Sequence, residues 1–191
     1  MKAIEEIIQE SIAVKTVLAS DKRIIEEIGK IVNEVINAFN HDKKVLFCGN
    51  GGSAADAQHL AAEFSGRFYF DRKPLYSEAL HVNTSFLTAV GNDYSYDDVY
   101  SRMITGVGRK GDILFGISTS GNSKNVINAL NKANELGMIT IGFTGKSGGR
   151  MSNICKYLIN VPSTDTPRIQ ESHILVGHII CEYVEATIFK K

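Results

Sequence analysis

The sequence predicts an α/β fold built on a parallel sheet covered on both faces, and three observations carry that prediction. Short, largely apolar runs at 45–48, 113–117, 138–143 and 157–161 alternate with helical patterns, as strands buried on both faces require. Two of these runs lead into loops rich in glycine and serine that open helices. Ahead of the first run, apolar residues recur at three- and four-residue steps, the spacing of amphipathic helices. A chain of 191 residues fits one domain, 1–191, with a helical pair over 1–42 and an α/β core over 43–191.

The first helix carries Ile4, Ile7, Ile8 and Ile12, and the second carries Ile24, Ile25, Ile28, Ile31, Val32, Val35 and Ile36, with a break at Ser20-Asp21. The second is apolar enough to predict burial on more than one side, including against another subunit. The strand at 45–48 leads through Gly49-Asn50-Gly51-Gly52-Ser53 into a helix ending near Phe68. A shorter strand is expected at 79–82. The strand at 113–117 leads through Ser118-Thr119-Ser120-Gly121-Asn122-Ser123 into a helix ending near Leu136. Strands at 138–143 and 157–161 follow. A last helix runs from Pro167, a favourable first-turn proline, to Phe189.

Composition narrows the partners. Twenty-one basic residues balance twenty-one acidic ones, so no global field attracts nucleic acid. No stretch approaches the roughly 20 apolar residues that span a bilayer, and Met1-Lys2-Ala3-Ile4-Glu5-Glu6 lacks the basic and then apolar start of a signal peptide. A cytoplasmic protein without membrane or nucleic-acid partners is expected. Cys48, Cys155 and Cys181 form no paired motif, and Cys48, inside an apolar run, reads as a buried structural thiol.

In an open parallel sheet, ligands bind beyond the carboxyl ends of the strands, where both polar loops fall. Ser118, Thr119, Ser120 and Ser123 place four hydroxyls within six residues at a helix N-terminus, where free N–H groups and the helix dipole favour a phosphate. A single such hydroxyl would ordinarily be a helix cap; four together favour an anion. Asn50–Ser53 repeats the architecture, and Ser53 with Asp56 resembles a capping box. Neither loop matches a nucleotide-binding motif, so a small phosphorylated metabolite is the expected ligand. His59 and Glu63 share one face of the following helix about 6 Å apart along its axis. That spacing suits a metal such as zinc, an acid/base pair, or an ordinary helical ion pair. His41 reads as exposed after a helix end, His81 as a strand residue and His173 as a helical neighbour of Gln170. Arg67 and Arg168 are open to phosphate contact or surface ion pairing.

The stretch Cys48-Gly49-Asn50-Gly51-Gly52-Ser53-Ala54-Ala55-Asp56-Ala57-Gln58-His59 resembles the signature of bacterial phosphoheptose isomerases of the sugar isomerase (SIS) fold. Gly91-Asn92-Asp93, Gly116–Ser123 and Arg168-Ile169-Gln170-Glu171 resemble further family motifs in the same order along nearly the whole chain. The resemblance implies a three-layer αβα SIS fold, a five-stranded parallel sheet between helices, assembled as a homotetramer. It implies isomerisation of sedoheptulose 7-phosphate to a manno-heptose 7-phosphate for lipopolysaccharide, capsule or another glycan. It also implies zinc held by His59, Glu63, Gln170 and His178, with Glu63 and His178 as the catalytic pair. Substrate would contact Asn50, Gly51, Gly52, Ser53, Glu63, Asn92, Asp93, Ser118, Thr119, Ser120, Ser123 and Gln170. By helical geometry Gln170 and His178 lie about 12 Å apart along one axis, which local unwinding, long side chains or a neighbouring subunit would have to resolve.

Related SIS proteins instead bind the replication initiator or sense sugar phosphates, but this chain has His178 and both Gly51 and Gly52, which favour the isomerase. Pentose phosphate relatives usually carry extra regulatory domains that 191 residues do not hold, whereas a hexulose phosphate isomerase stays an alternative, because chain-length selectivity depends on pocket depth. Pro167 stands where some relatives carry an acidic residue that contacts substrate; Asp165 lies two positions earlier.

Overall fold

In the computed structural model, residues 2–189 are described, so the outermost positions of the expected 1–191 domain lie outside them. Five strands form one parallel sheet in the order β2-β1-β3-β4-β5: β1 Val45–Gly49, β2 Ser77–Ala79, β3 Ile113–Ile117, β4 Ile139–Thr144 and β5 Tyr157–Asn160. Every residue of β1 and β3 is buried, which explains their unbroken apolar sequences. Strand order reverses between β1 and β3, the switch point at which open α/β sheets bind ligands.

Among the described residues, seven α-helices accompany the sheet: α1 Ile4–Ser20, α2 Lys22–Asn40, α3 Gly52–Ser65, α4 Thr84–Asp93, α5 Val99–Val107, α6 Lys124–Glu135 and α7 Thr166–Phe189. Residues of α2, α3 and α7 pack on one face around Phe47, Phe115 and Phe143. Residues of α5 and α6 pack on the other around Leu46, Cys48 and Leu114. These layers make the three-layer α/β arrangement expected from the sequence. No helix among the described residues is long and apolar enough to cross a membrane.

The break between the first two helices is made by Asp21, whose carboxylate accepts the Arg23 N–H at the start of α2. Other boundaries differ from expectation. The second strand is Ser77–Ala79 rather than 79–82, because the chain turns after Leu80, whose N–H donates to Phe47 O. His81 therefore sits in a turn and not in a strand. The helix expected to reach Phe68 stops at Ser65, where the Arg72 guanidinium donates to the carbonyls of Glu63 and Phe64. Helices α4 and α5 occupy a stretch in which no element was foreseen. The burial of α2 is one-sided within the chain: Ile31, Val32, Val35 and Ala38 are buried, whereas Ile25 is 50% exposed.

Candidate active site

Parallel pairing of Cys48 with Gly116 and Gly49 with Ile117 brings the two polar loops out side by side at the switch point. In the first loop Gly51, at φ 55°, occupies the left-handed region and is the residue that caps α3. Ser53 is not the cap: it is buried in the first turn, and its N–H donates to Asn50 O at 3.0 Å. The expected capping box is thus replaced by a glycine entry. Asp56 is left without a partner at Oδ2, and burial raises its pKa to about 6 against the opposing pull of His59. The amide of Gln170 lies over Gly52, where any Cβ would collide with it.

The second loop gathers its hydroxyls. Ser118 Oγ is 2.9 Å from Ser123 Oγ and 3.4 Å from Ser120 Oγ. Ser123 stands at the N-cap position of α6, yet its side chain makes no capping bond. The capping role is thus not taken by Ser123, and the hydroxyls face one another at a helix N-terminus. Ser120 Oγ accepts from Asn122 N at 3.2 Å, a bond within the loop. Gly121, at φ 66°, has no room for a side chain, because a Cβ would strike Gly148 O. Thr119 O accepts from Gly145 N at 2.9 Å and ties this loop to the end of β4.

The third feature lies where α3 meets α7. Gln170 covers Gly52, Gly177 abuts Leu60 and His178 reaches His59, so both helices advance together and run parallel. Gly177 permits the close approach, since a Cβ there would lie 2.5 Å from the Leu60 methyl carbons. His59 Nε2 is 3.0 Å from Glu63 Oε1 and 3.3 Å from His178 Nε2. The Phe68 ring covers His178 at 5.7 Å between centroids. Burial, followed by the neighbouring His59, holds the His178 pKa below the usual histidine range, opposed by Glu63.

This trio fits a metal ion. One donor atom from each of the three residues lies within 4.8 Å of the others. Ligands 2.0–2.1 Å from a tetrahedral zinc stand about 3.3 Å from one another, close to the separations around His59. Within a single subunit the Gln170 amide lies at Gly52, apart from these three. Helix α7 is continuous from Thr166 to Phe189, so no unwinding shortens the rise of about 12 Å between Gln170 and His178. Its amide sits two turns back, at the first loop.

The remaining expected residues are dispersed. Asn92 and Asp93 end α4, exposed and bonded to each other at 2.8 Å. Asp165 is exposed beyond β5. Arg168 pairs with Glu171 and donates to Ile7 O, a structural contact, while Arg67 is exposed. His41 is exposed at the end of α2, with Nδ1 2.8 Å from Asn37 O. Cys48 and Cys181 are buried, and burial raises both thiols well above their ordinary range; Cys155 is raised to about 12. Phe68, Arg72, Asn125 and Glu185 were missed from sequence, because each acts through a partner more than 50 residues away or a loop-borne ring contact.

Residues 11–145 match the SIS domain family. A phosphoheptose isomerase of Clostridium acetobutylicum is 54% identical over 186 residues, spanning 97% of this chain and 95% of its own. The solved phosphoheptose isomerase of Neisseria gonorrhoeae superposes with a TM-score of 0.90 at 43% identity, over 96% of this chain and 97% of its own. That of Francisella tularensis gives 0.91 at 32% identity, over 96% and 98%. The chain belongs to the SIS domain family, and within it to the phosphoheptose isomerases.

Proposed function

We propose that this chain is an aldose–ketose isomerase that converts sedoheptulose 7-phosphate to D-glycero-D-manno-heptose 7-phosphate in bacterial heptose biosynthesis. The observation that carries the reading is the convergence of His59, Glu63 and His178 at the α3–α7 contact. Glu63 offers a carboxylate to remove the C1 proton of the open-chain ketose and return it to C2 through a cis-enediol. His178, with a lowered pKa, is suited to move protons between the oxygens on C1 and C2. Zinc bound by His59, Glu63 and His178 would supply Lewis-acid polarisation of the sugar oxygens. Ser118, Thr119, Ser120 and Ser123 would hold the phosphate and so fix which carbons face the base. Asn50, Gly51, Gly52, Ser53, Asn92, Asp93 and Gln170 are assigned to the sugar hydroxyls, and Gln170 stays in the proposed zinc set as the expected fourth ligand.

Assembly as a cytoplasmic homotetramer belongs to the same proposal. It is supported by the apolar residues that α1 and α2 leave uncovered: Ile4 at 79%, Ile8 at 54%, Ile12 at 49% and Ile25 at 50% exposure. The heptose product would enter lipopolysaccharide or capsule. The test is proton NMR of sedoheptulose 7-phosphate incubated with the protein, before and after removal of metal by a chelator. New aldose anomeric signals that vanish on chelation and return with zinc are expected. An unchanged spectrum from folded, zinc-loaded protein overturns the reading and moves attention to non-enzymatic sugar-phosphate sensing or initiator binding.

A further inference from the structure

Asn50 and Asn125 join the two loops by a reciprocal amide pair. Asn50 Nδ2 donates to Asn125 Oδ1 at 2.8 Å, and Asn125 Nδ2 donates to Asn50 Oδ1 at 2.9 Å. Such a pair can ordinarily be turned over, both amides together, without losing a bond. Here it cannot. The backbone N–H of Val126, in the first turn of α6, donates to Asn125 Oδ1 at 2.9 Å, and a backbone N–H only donates. That bond fixes which Asn125 atom is oxygen. It therefore fixes the Asn50 atom opposite as nitrogen, and the remaining Asn50 atom as oxygen.

The Asn50 oxygen is then fully used. It accepts from Asn125 and, at 3.1 Å, from the Tyr96 hydroxyl, which fills the two lone pairs of an amide oxygen. One Nδ2 hydrogen goes to Asn125. The single unspent capacity of the Asn50 side chain is its second N–H. Asn125 is 3% exposed, one residue into α6, so it acts from beneath the loops. The first loop is also held by the buried Tyr100, whose hydroxyl donates to Gly49 O.

We infer that Asn125, anchored by the Val126 N–H and assisted by Tyr96, is a positioning residue that locks Asn50 as a hydrogen-bond donor to an oxygen of the sugar chain. The inference rests on the proposed reading of Asn50 as a substrate contact. It assigns the contact a direction: Asn50 recognises an acceptor oxygen and does not accept from a hydroxyl. It also makes the amide pair the link between the sugar loop and the helix whose N-terminus holds the phosphate loop.

The test is a double-mutant cycle on the whole protein. Asn125→Ala removes both bonds to Asn50 without adding a charge beside the serine loop, leaving the Asn50 amide free to turn over. It is expected to raise KM for the sugar phosphate about tenfold, equivalent to about 1.4 kcal/mol. The competitive inhibition constant of inorganic phosphate should stay within about twofold, since the serine loop is untouched. In an Asn50→Ala background the same substitution should cost nothing further. Tyr96→Phe, at an exposed side chain, provides a milder second variant with an expected rise in KM of about threefold, as befits one neutral hydrogen bond. An equal penalty for Asn125→Ala with and without Asn50, or parallel losses in phosphate and sugar affinity, would overturn the inference while leaving Asn50 as a substrate contact. An unchanged KM in Asn50→Ala alone would overturn the substrate reading of Asn50 itself, and the inference with it.

Discussion

His173 is fully buried on α7, with Nε2 3.2 Å from Thr144 O. Because a carbonyl only accepts, Nε2 carries the hydrogen and Nδ1 is left bare, without a partner. Burial lowers the pKa of this imidazole to about 4, against the hydrogen bond to Thr144, which raises it. A histidine with a depressed folded-state pKa binds its proton more readily when unfolded. Its contribution to stability is therefore complete above the ordinary value of about 6.5 and is lost as pH falls towards about 4. Denaturant titrations should show stability falling across that window by up to about 1.4 kcal/mol per pH unit. In His173→Leu this component should vanish, with Thr144 O still satisfied by Val161 N. An unchanged slope in the variant would reject the assignment. Gly121 makes a second prediction at this scale. Gly121→Ala meets both the left-handed φ and the Gly148 carbonyl, and should cost about 1–3 kcal/mol together with phosphate affinity, read by calorimetry with inorganic phosphate.

Among the elements, the segment following α3 is strapped down by one buried ion pair. Glu185 on α7 accepts from the N–H groups of Phe68, Tyr69 and Phe70 and from Arg72 Nε at 2.7 Å. Arg72 and Glu185 are 2% and 1% exposed as side chains. Burial works against the Glu185 charge, but these four donors outweigh it and hold the carboxyl below its ordinary range. The same guanidinium finishes α3, and the strap carries Phe68 to His178. Removing one partner leaves the other charged and buried, so Glu185→Ala should destabilise the protein by about 3–5 kcal/mol, measured by chemical denaturation; a loss under about 1 kcal/mol, the range of exposed pairs, would contradict this. Little of this strap was legible in sequence. Apolar runs identified four strands nearly to their ends, because buried parallel strands have no polar face. Helices α4 and α5 were missed, since Gly91, Asn92, Asp93, Tyr94, Ser95 and Asp97 read locally as loop. What makes that stretch helical is packing of Val99, Tyr100 and Ile104 against the sheet, a tertiary cause.

For the whole molecule, the proposed function rests on two long-range alignments: β1 beside β3, which pairs the loops, and α3 parallel to α7, which brings His178 to His59 and Glu63. The local parts of both were legible, namely the hydroxyl-rich loop and the His59–Glu63 spacing. Their joining was not legible from periodicity, which carries no information on which helices touch; the family resemblance alone brought Glu63 and His178 together. The resemblance grouped Gln170 with His178, and the unbroken α7 keeps the two apart within one subunit. Exposed isoleucines on α1 predict self-association: a triple substitution of Ile4, Ile8 and Ile12 by Ser should lower the molar mass measured by light scattering. An unchanged mass would remove α1 from the interface. The most direct measurement of proton transfer at the α3–α7 contact is NMR of the isomerisation in deuterated water, for the wild type and Glu63→Gln. Glu63 is 23% exposed as a side chain, so a proton it carries can exchange with solvent. The wild type should form aldose with deuterium at C2, and Glu63→Gln should be slower by about 100- to 10,000-fold. A Glu63→Gln variant at the wild-type rate would contradict Glu63 as the base.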